Sequence, residues 1–307
     1  SRLKHHHTIV LSAVMLGVTL VATSFSESLE GIRLGMLMVG VTAGLYFPSG
    51  MATITSLYPP KHWGRAIGVH ELAPNLAWKG IVPLGDLVKK ELNVQVAVTN
   101  DANAAAMGEM VFGGAKGMKD FIILTLGTGL GSGIVVDGKL VYGHTGFAGE
   151  VGHLCVVPGG RECGCGRKGC LETYASATGL VKTVSLMISE MRADSPLRDI
   201  PPAKLTSKAI AEAAEQGDPI ALRAMDYTAE KLGLGIINSI VYTSPEAIFL
   251  FGGLANAGEL LFRPVRDYLK KHNYILFKNT VKILPSGIPE SNGAVLGSAA
   301  LILNDLN

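Results

Sequence analysis

From Trp78 onward the sequence predicts an α/β fold, because segments with helical and strand patterning alternate along the chain. Residues 85–93 (GDLVKKELN) read as an amphipathic helix. Residues 94–100 (VQVAVTN) read as a short buried strand that ends in polar residues. Residues 101–115 (DANAAAMGEMVFGGA) begin at an Asp cap and continue as an Ala-rich helix. Residues 121–143 read as two strands around a Gly-rich turn, closed by the Asp137-Gly138 hairpin. Residues 221–245 form a long helical pattern, and residues 247–258 (AIFLFGGLANAG) a buried strand running into a Gly turn.

The first quarter has a different character. Thr8 to Phe25 holds no charged residue, and as a helix this run would be roughly 27 Å long, close to the thickness of a bilayer core. A second uncharged run extends from Leu34 to Leu57. Arg2, Lys4, Lys61 and Arg65 flank the pair on one side, and the intervening loop carries Glu27 and Glu30. The pattern predicts a two-helix membrane hairpin with both outer ends cytoplasmic. Two buried helices of a soluble domain are the plainer alternative. The expected division is 1–77 and 78–307, with membrane contact confined to residues 8–57 and the α/β part cytoplasmic.

Composition narrows the function. The chain has 307 residues, a net charge of +2 and no long basic run, so no nucleic-acid partner is expected. Its four cysteines, Cys155, Cys163, Cys165 and Cys170, lie within one short stretch next to His153. Disulfide frameworks usually spread their cysteines, whereas three thiols and one imidazole are a common closed set for Zn²⁺. His153, Cys163, Cys165 and Cys170 are therefore the expected ligands of a structural zinc ion, with incidental free thiols as the alternative. Cys155 is left over and reads as a buried strand residue.

Acidic and glycine-rich positions complete the candidate site. Asn100 and Asp101 follow a strand and open a helix, where α/β sheets bind ligands, although a helix cap is the plainer role for Asp101. Glu150 and His153 are three residues apart, which one helical turn would bring to one face. Glu172 follows the last cysteine by two residues. Gly127, Thr128 and Gly129, followed by Gly131, lie between two strands and could cradle phosphate with backbone N–H groups, or be only a hairpin turn. Gly252 and Gly253 close a second buried strand.

Together the strings APNL, NDANAAA, LGTGLGSG, GFAGE-VGH, CGCGRKGCLE, FGG and NGAVLGSAA make residues 74–304 resemble the ROK family (repressors, open reading frames and kinases), above all its glucokinase-like members. The resemblance implies an actin-like, ribonuclease H-like ATPase fold. It implies Asp101 as general base, and Asn100, Asp101, Glu150, His153 and Glu172 as sugar-binding residues. Gly127, Thr128 and Gly129 would meet the ATP phosphates, and Gly252 and Gly253 the adenosine. ATP, Mg²⁺ and structural Zn²⁺ are the implied cofactors, a hexose the implied substrate, and a dimer or tetramer the implied assembly. Residues 1–77 resemble a fragment of a major facilitator transporter, carried by SRLKHHH, LGMLMVGVTAGLYFPSGMA and YPPKHWGRAIGVHELAPN. The Asp-Ile-Gly-Gly-Thr loop and Gly-Pro-Gly region with which the kinases of the family begin are absent. The expectation is a truncated amino-terminal lobe with impaired phosphoryl transfer. A sugar-responsive regulator and a fusion with a transporter fragment are the alternatives.

Overall fold

The computed structural model describes residues 68–70, 84–93, 96–289 and 293–304. The two apolar spans, the transporter-like strings and the boundary at 77/78 lie outside these residues. No helix among the described residues is long and apolar enough to cross a membrane.

The chain divides into two compact units. The first contains helix α1 (Leu84–Leu92) and most of a strand pair, β1 (Gly68–His70) and β2 (Ala97–Thr99). In α1, Asp86, Lys89 and Lys90 face solvent, as its amphipathic pattern requires. The expectation for β2 is corrected in one respect. Only Thr99 is buried and Val98 is 42% exposed, because one face of a two-stranded pair stays open.

The second unit runs from Thr99 onward and is built on a five-stranded sheet. Helix α2 (Asp101–Phe112) precedes β3 (Phe121–Leu126), β4 (Leu130–Val136) and β5 (Lys139–Leu140). Helices α3 (Ala177–Glu190), α4 (Ser207–Glu215) and α5 (Pro219–Thr243) follow. The unit ends with β6 (Ala247–Phe251), α6 (Glu259–His272), β7 (Lys282–Pro285) and α7 (Gly293–Asn304). The strand order is β5-β4-β3-β6-β7, with β3, β6 and β7 parallel and β4 antiparallel to both β3 and β5. Asp137 and Gly138 both have positive φ (50° and 74°), the type I′ geometry that an Asp-Gly hairpin favours.

β3 is apolar at every position but Thr125 because both of its faces are covered. Ile122, Leu124 and Leu126 belong to the larger core, with Leu180, Leu232, Ile236 and Leu261 from α3, α5 and α6. Phe121 and Ile123 point the other way, into a core with Ala105, Ala106, Val135 and Phe249. The alternation follows from the two-residue repeat of a strand.

The Ala-rich composition of α2 has the same kind of cause. This helix is buried from Ala102 to Glu109, with β4 on one side and α7 on another. A Cβ at Gly133 would stand 2.6 Å from the Ala102 carbonyl oxygen, so only glycine lets the helix backbone approach the strand this closely. Glu109, although polar, is fully buried under the helix end. Its Oε1 accepts from the N–H groups of Gly114 (2.6 Å) and Gly287 (2.8 Å), and its Oε2 accepts from the Ser286 hydroxyl. This carboxylate ties α2 to the chain after β7.

Candidate functional site

The carboxyl ends of the parallel strands β3 and β6 lie side by side, and the candidate residues gather around that end of the sheet. Asn100, not Asp101, caps α2: its Oδ1 accepts from Asn103 N at 2.7 Å. The expectation that Asp101 is the cap is therefore corrected. Asp101 is the first helical residue. Its side chain is exposed, with Oδ1 accepting from the N–H of Ala102 at 2.8 Å. The physical reason is that a cap must have extended backbone, and Asn100 has it (φ −78°, ψ 165°). Close packing of Ala102 on Gly131 and Gly133 holds the start of α2 against β4.

The turn Gly127–Gly129 joins β3 to β4 at the same end. Each of its three carbonyls is used within the protein. Gly127 O accepts from Ala177 N (2.9 Å), Thr128 O from the Thr178 hydroxyl (2.7 Å) and Gly129 O from Gly127 N (3.1 Å). The first two donors come from the start of α3, which Ser176 caps by accepting from Gly179 N at 3.0 Å. Gly252 (φ 99°) packs over the Leu126 backbone, which accepts from Leu254 N at 3.1 Å, so the second glycine turn adjoins the first. Gly253 beside it is exposed.

The His153 segment docks on β4. Val151 N donates to Ser132 Oγ at 3.0 Å, and a Cβ on Gly152 would collide with the Leu130 carbonyl. Residues Val151–His153 form one turn of 3₁₀ helix with Glu150 just before it, which brings His153 Nε2 to 3.9 Å from Glu150 Oε2. On its other side, His153 Nδ1 lies 3.7 Å from Glu172 Oε1. Glu172 also adjoins the glycine turn: a Cβ on Gly129 would be 2.9 Å from its Oε2.

His153, Cys163, Cys165 and Cys170 converge, with one ligand atom from each within 4.8 Å of the others. Cys165 Sγ and Cys170 Sγ are 3.7 Å apart, and Cys163 Sγ is 3.6 Å from His153 Nδ1. A tetrahedral zinc with Zn–S bonds of about 2.3 Å requires ligand-to-ligand edges of roughly 3.5–3.8 Å; these two edges meet that, and the donor set suits the ion. Without a metal, burial pushes the Cys163 and Cys170 thiols up, whereas the hydrogen bond from the Arg167 backbone brings Cys165 down.

Cys155 is corrected. It is exposed and sits in an isolated bridge opposite Cys170, at the edge of the zinc loop. The chain there is a two-residue contact and not a strand in a sheet, so nothing covers the side chain.

Three groups that the sequence did not single out hold these parts together. Arg161 donates to the carbonyls of Thr173 (2.7 Å) and Gly179 (3.1 Å) and to the Thr183 hydroxyl (2.9 Å), with its guanidinium over the Tyr174 ring. Ser132 and Thr178 anchor the His153 turn and the glycine turn. An arginine two residues before a CGCG string and hydroxyls beside glycine turns are weak signals, because their partners are distant in the chain. A separate groove of about 700 Å³ between α5 and α6, with Asp226, Glu230, Arg263 and Lys271 on its walls, contains none of the candidate residues.

Comparison with known proteins decides the family: the profile of the ROK family matches residues 66–305. The chain belongs to the ROK family. Among its ROK relatives is a glucokinase of Halalkalibacterium halodurans, 40% identical over 202 residues, a match covering 65% of this chain and 61% of that protein. A xylose repressor of Caldicellulosiruptor bescii is 34% identical over 76% of this chain and 58% of its own length. Among solved structures, a ROK glucokinase of Streptomyces griseus in complex with glucose and AMPPNP has a TM-score of 0.64 and 35% identity, covering 75% of each chain. The α/β sheet described above matches that of ROK kinases, and the expected resemblance to this family is borne out.

Proposed function

We propose that this ROK protein transfers the γ-phosphoryl group of ATP to a hydroxyl of a hexose, with glucose O6 as the first candidate. One observation carries the reading. An exposed carboxylate, a glycine turn whose three carbonyls are all hydrogen-bonded within the protein, and the acid–imidazole set of Glu150, His153 and Glu172 share the carboxyl end of one sheet. Open α/β sheets bind ligands at that end. The ROK glucokinase complexed with glucose and an ATP analogue supports the choice of both substrates.

Each residue has a definite role in this proposal. Asp101 takes the proton from the attacking hydroxyl. Asn100, through its amide nitrogen, and Glu150, His153 and Glu172 bind the other hydroxyls of the sugar. With its carbonyls engaged, and Gly127 N itself bonded to Gly129 O, the Gly127–Gly129 turn offers the Thr128 and Gly129 amides to phosphate, where a free carbonyl would repel it. Gly252 and Gly253 leave room on the nucleotide side. Mg²⁺ bound with ATP would supply charge neutralisation at the phosphates. His153, Cys163, Cys165 and Cys170 would hold zinc, whose part is to fix the loop bearing His153 and Glu172. In a reaction with so loose a transition state, catalysis is mostly positioning and charge stabilisation.

The test is ADP release by the zinc-loaded chain with ATP, Mg²⁺ and a panel of hexoses, alongside Asp101→Asn. Turnover with at least one hexose is expected, and it should vanish in the variant. Turnover unchanged in Asp101→Asn would overturn the assignment of the base. The second reading, a sugar-responsive regulator, is favoured by the similarity to the xylose repressor. It predicts saturable sugar binding without ADP release.

A further inference from the structure

We infer that Cys155 is the redox partner of Cys170, so that peroxide converts a zinc ligand into half of a disulfide and opens the metal site. The inference rests on the zinc-site reading above. Cys155 and Cys170 face each other across an antiparallel bridge. The two flanking bonds, Val156 N to Gly169 O and Leu171 N to Leu154 O, each 2.8 Å, identify them as a non-hydrogen-bonded pair. The Cα atoms of such a pair are about 4.5 Å apart and both side chains leave the same face, within the roughly 4.4–6.8 Å that a disulfide spans. Cys155 Sγ lies over residues next to Cys170. It donates to Lys168 O at 3.7 Å, and a Cβ on Gly169 would be 3.3 Å from it.

The two thiols differ in access. Cys155 is exposed and is outside the ligand cluster, while Cys170 is buried and inside it. Metal binding masks Cys163, Cys165 and Cys170, so Cys155 is the thiol of this loop that meets an oxidant first.

The chemistry is a two-electron oxidation by hydrogen peroxide. The Cys155 sulfur attacks one peroxide oxygen, an S–O bond forms, the O–O bond breaks and one water leaves. The Cys170 sulfur then attacks the Cys155 sulfur, the S–S bond forms, the S–O bond breaks and a second water leaves. Two thiols and one peroxide thus give one disulfide and two waters. When Cys170 starts as a metal-bound thiolate, solvent supplies the last proton and the metal departs as its divalent ion. The loss of Cys170 leaves three ligands and frees His153 and Glu172 from their fixed positions.

Tryptic mapping after peroxide treatment tests this directly, because Arg161, Arg167 and Lys168 place Cys155, the Cys163–Cys165 pair and Cys170 on three different peptides. The expected result is a crosslink between the peptides of Cys155 and Cys170, with zinc released to a chromogenic chelator. Cys155→Ser should bind zinc like the parent chain and release it several-fold more slowly. A crosslink from Cys170 to the Cys163–Cys165 peptide, with Cys155 still free to alkylate, would overturn the inference, as would equal release rates. If the parent chain binds no zinc, the metal reading fails, and the peptide map alone still decides the pairing.

Discussion

The thiol of Cys163 donates to Glu172 Oε1 at 2.8 Å. A ligand of the metal cluster and a carboxylate assigned to the sugar therefore share one contact, with His153 Nδ1 3.7 Å from the same oxygen. The cysteine cluster and the proposed sugar-binding carboxylate are thus in contact, so loss of the metal should be felt at the sugar.

Glu172→Gln separates the two roles. The amide keeps the shape but lacks the charge of the acceptor, and hydrogen bonds to charged groups contribute about 1.5–3 kcal/mol. Steady-state kinetics should show the sugar KM raised by roughly 10- to 100-fold. Zinc content, measured by atomic emission, should remain at one ion per chain. Loss of the metal with the carboxylate would mean that Glu172 serves the cluster and not the sugar.

Acid should weaken zinc binding. In the metal-free chain burial raises the Cys163 and Cys170 thiols, so both are protonated at neutral pH and must lose their protons when the metal enters. Affinity therefore rises with pH, by up to ~10-fold per unit for each proton released. Chelator competition at a series of pH values reads the slope, and a flat profile would exclude thiolate ligation.

Asn100 and Asp101 are neighbours with opposite expected phenotypes. Asn100→Ala removes the cap of α2 and should cost about 0.5–2 kcal/mol of stability in a denaturant titration. Asp101→Asn should cost no more than about 1 kcal/mol, the usual contribution of an acid near a helix start. Its effect should instead be a fall in kcat of roughly 10²- to 10⁴-fold.

Gly133→Ala tests the packing that carries Asp101. The added methyl would stand 2.6 Å from Ala102 O and 2.7 Å from Ala106 Cβ, both on the buried side of α2. A loss of about 1–3 kcal/mol is expected, as for other overpacked cores. Gly138→Ala is a poor control because its positive φ adds strain of its own. Gly164, with open space around it and no positive φ, is the better one.

The local chemistry of this chain was legible in its sequence. Clustered thiols beside an imidazole predict the convergence that the four side chains show, an Asp-Gly pair names a hairpin, and apolar runs name strands. Each of these depends on residues close together in the chain, where spacing fixes geometry. The cap of α2 was misread by one residue, because Asn and Asp are both good caps and only the backbone angles at Asn100 choose between them. Cys155 was misread as buried, because its exposure depends on what packs over a two-residue bridge. The roles of Arg161, Ser132 and Thr178 were invisible, since each one bonds to a backbone group 12 or more residues away. What only the tertiary structure decided is which loops meet. The parallel pairing of β3 with β6 sets two glycine turns side by side, and the docking of α2 on Gly133 brings Asp101 to the same end of the sheet. Sequence spacing carries short-range geometry, while long-range proximity is set by the packing of whole faces against one another.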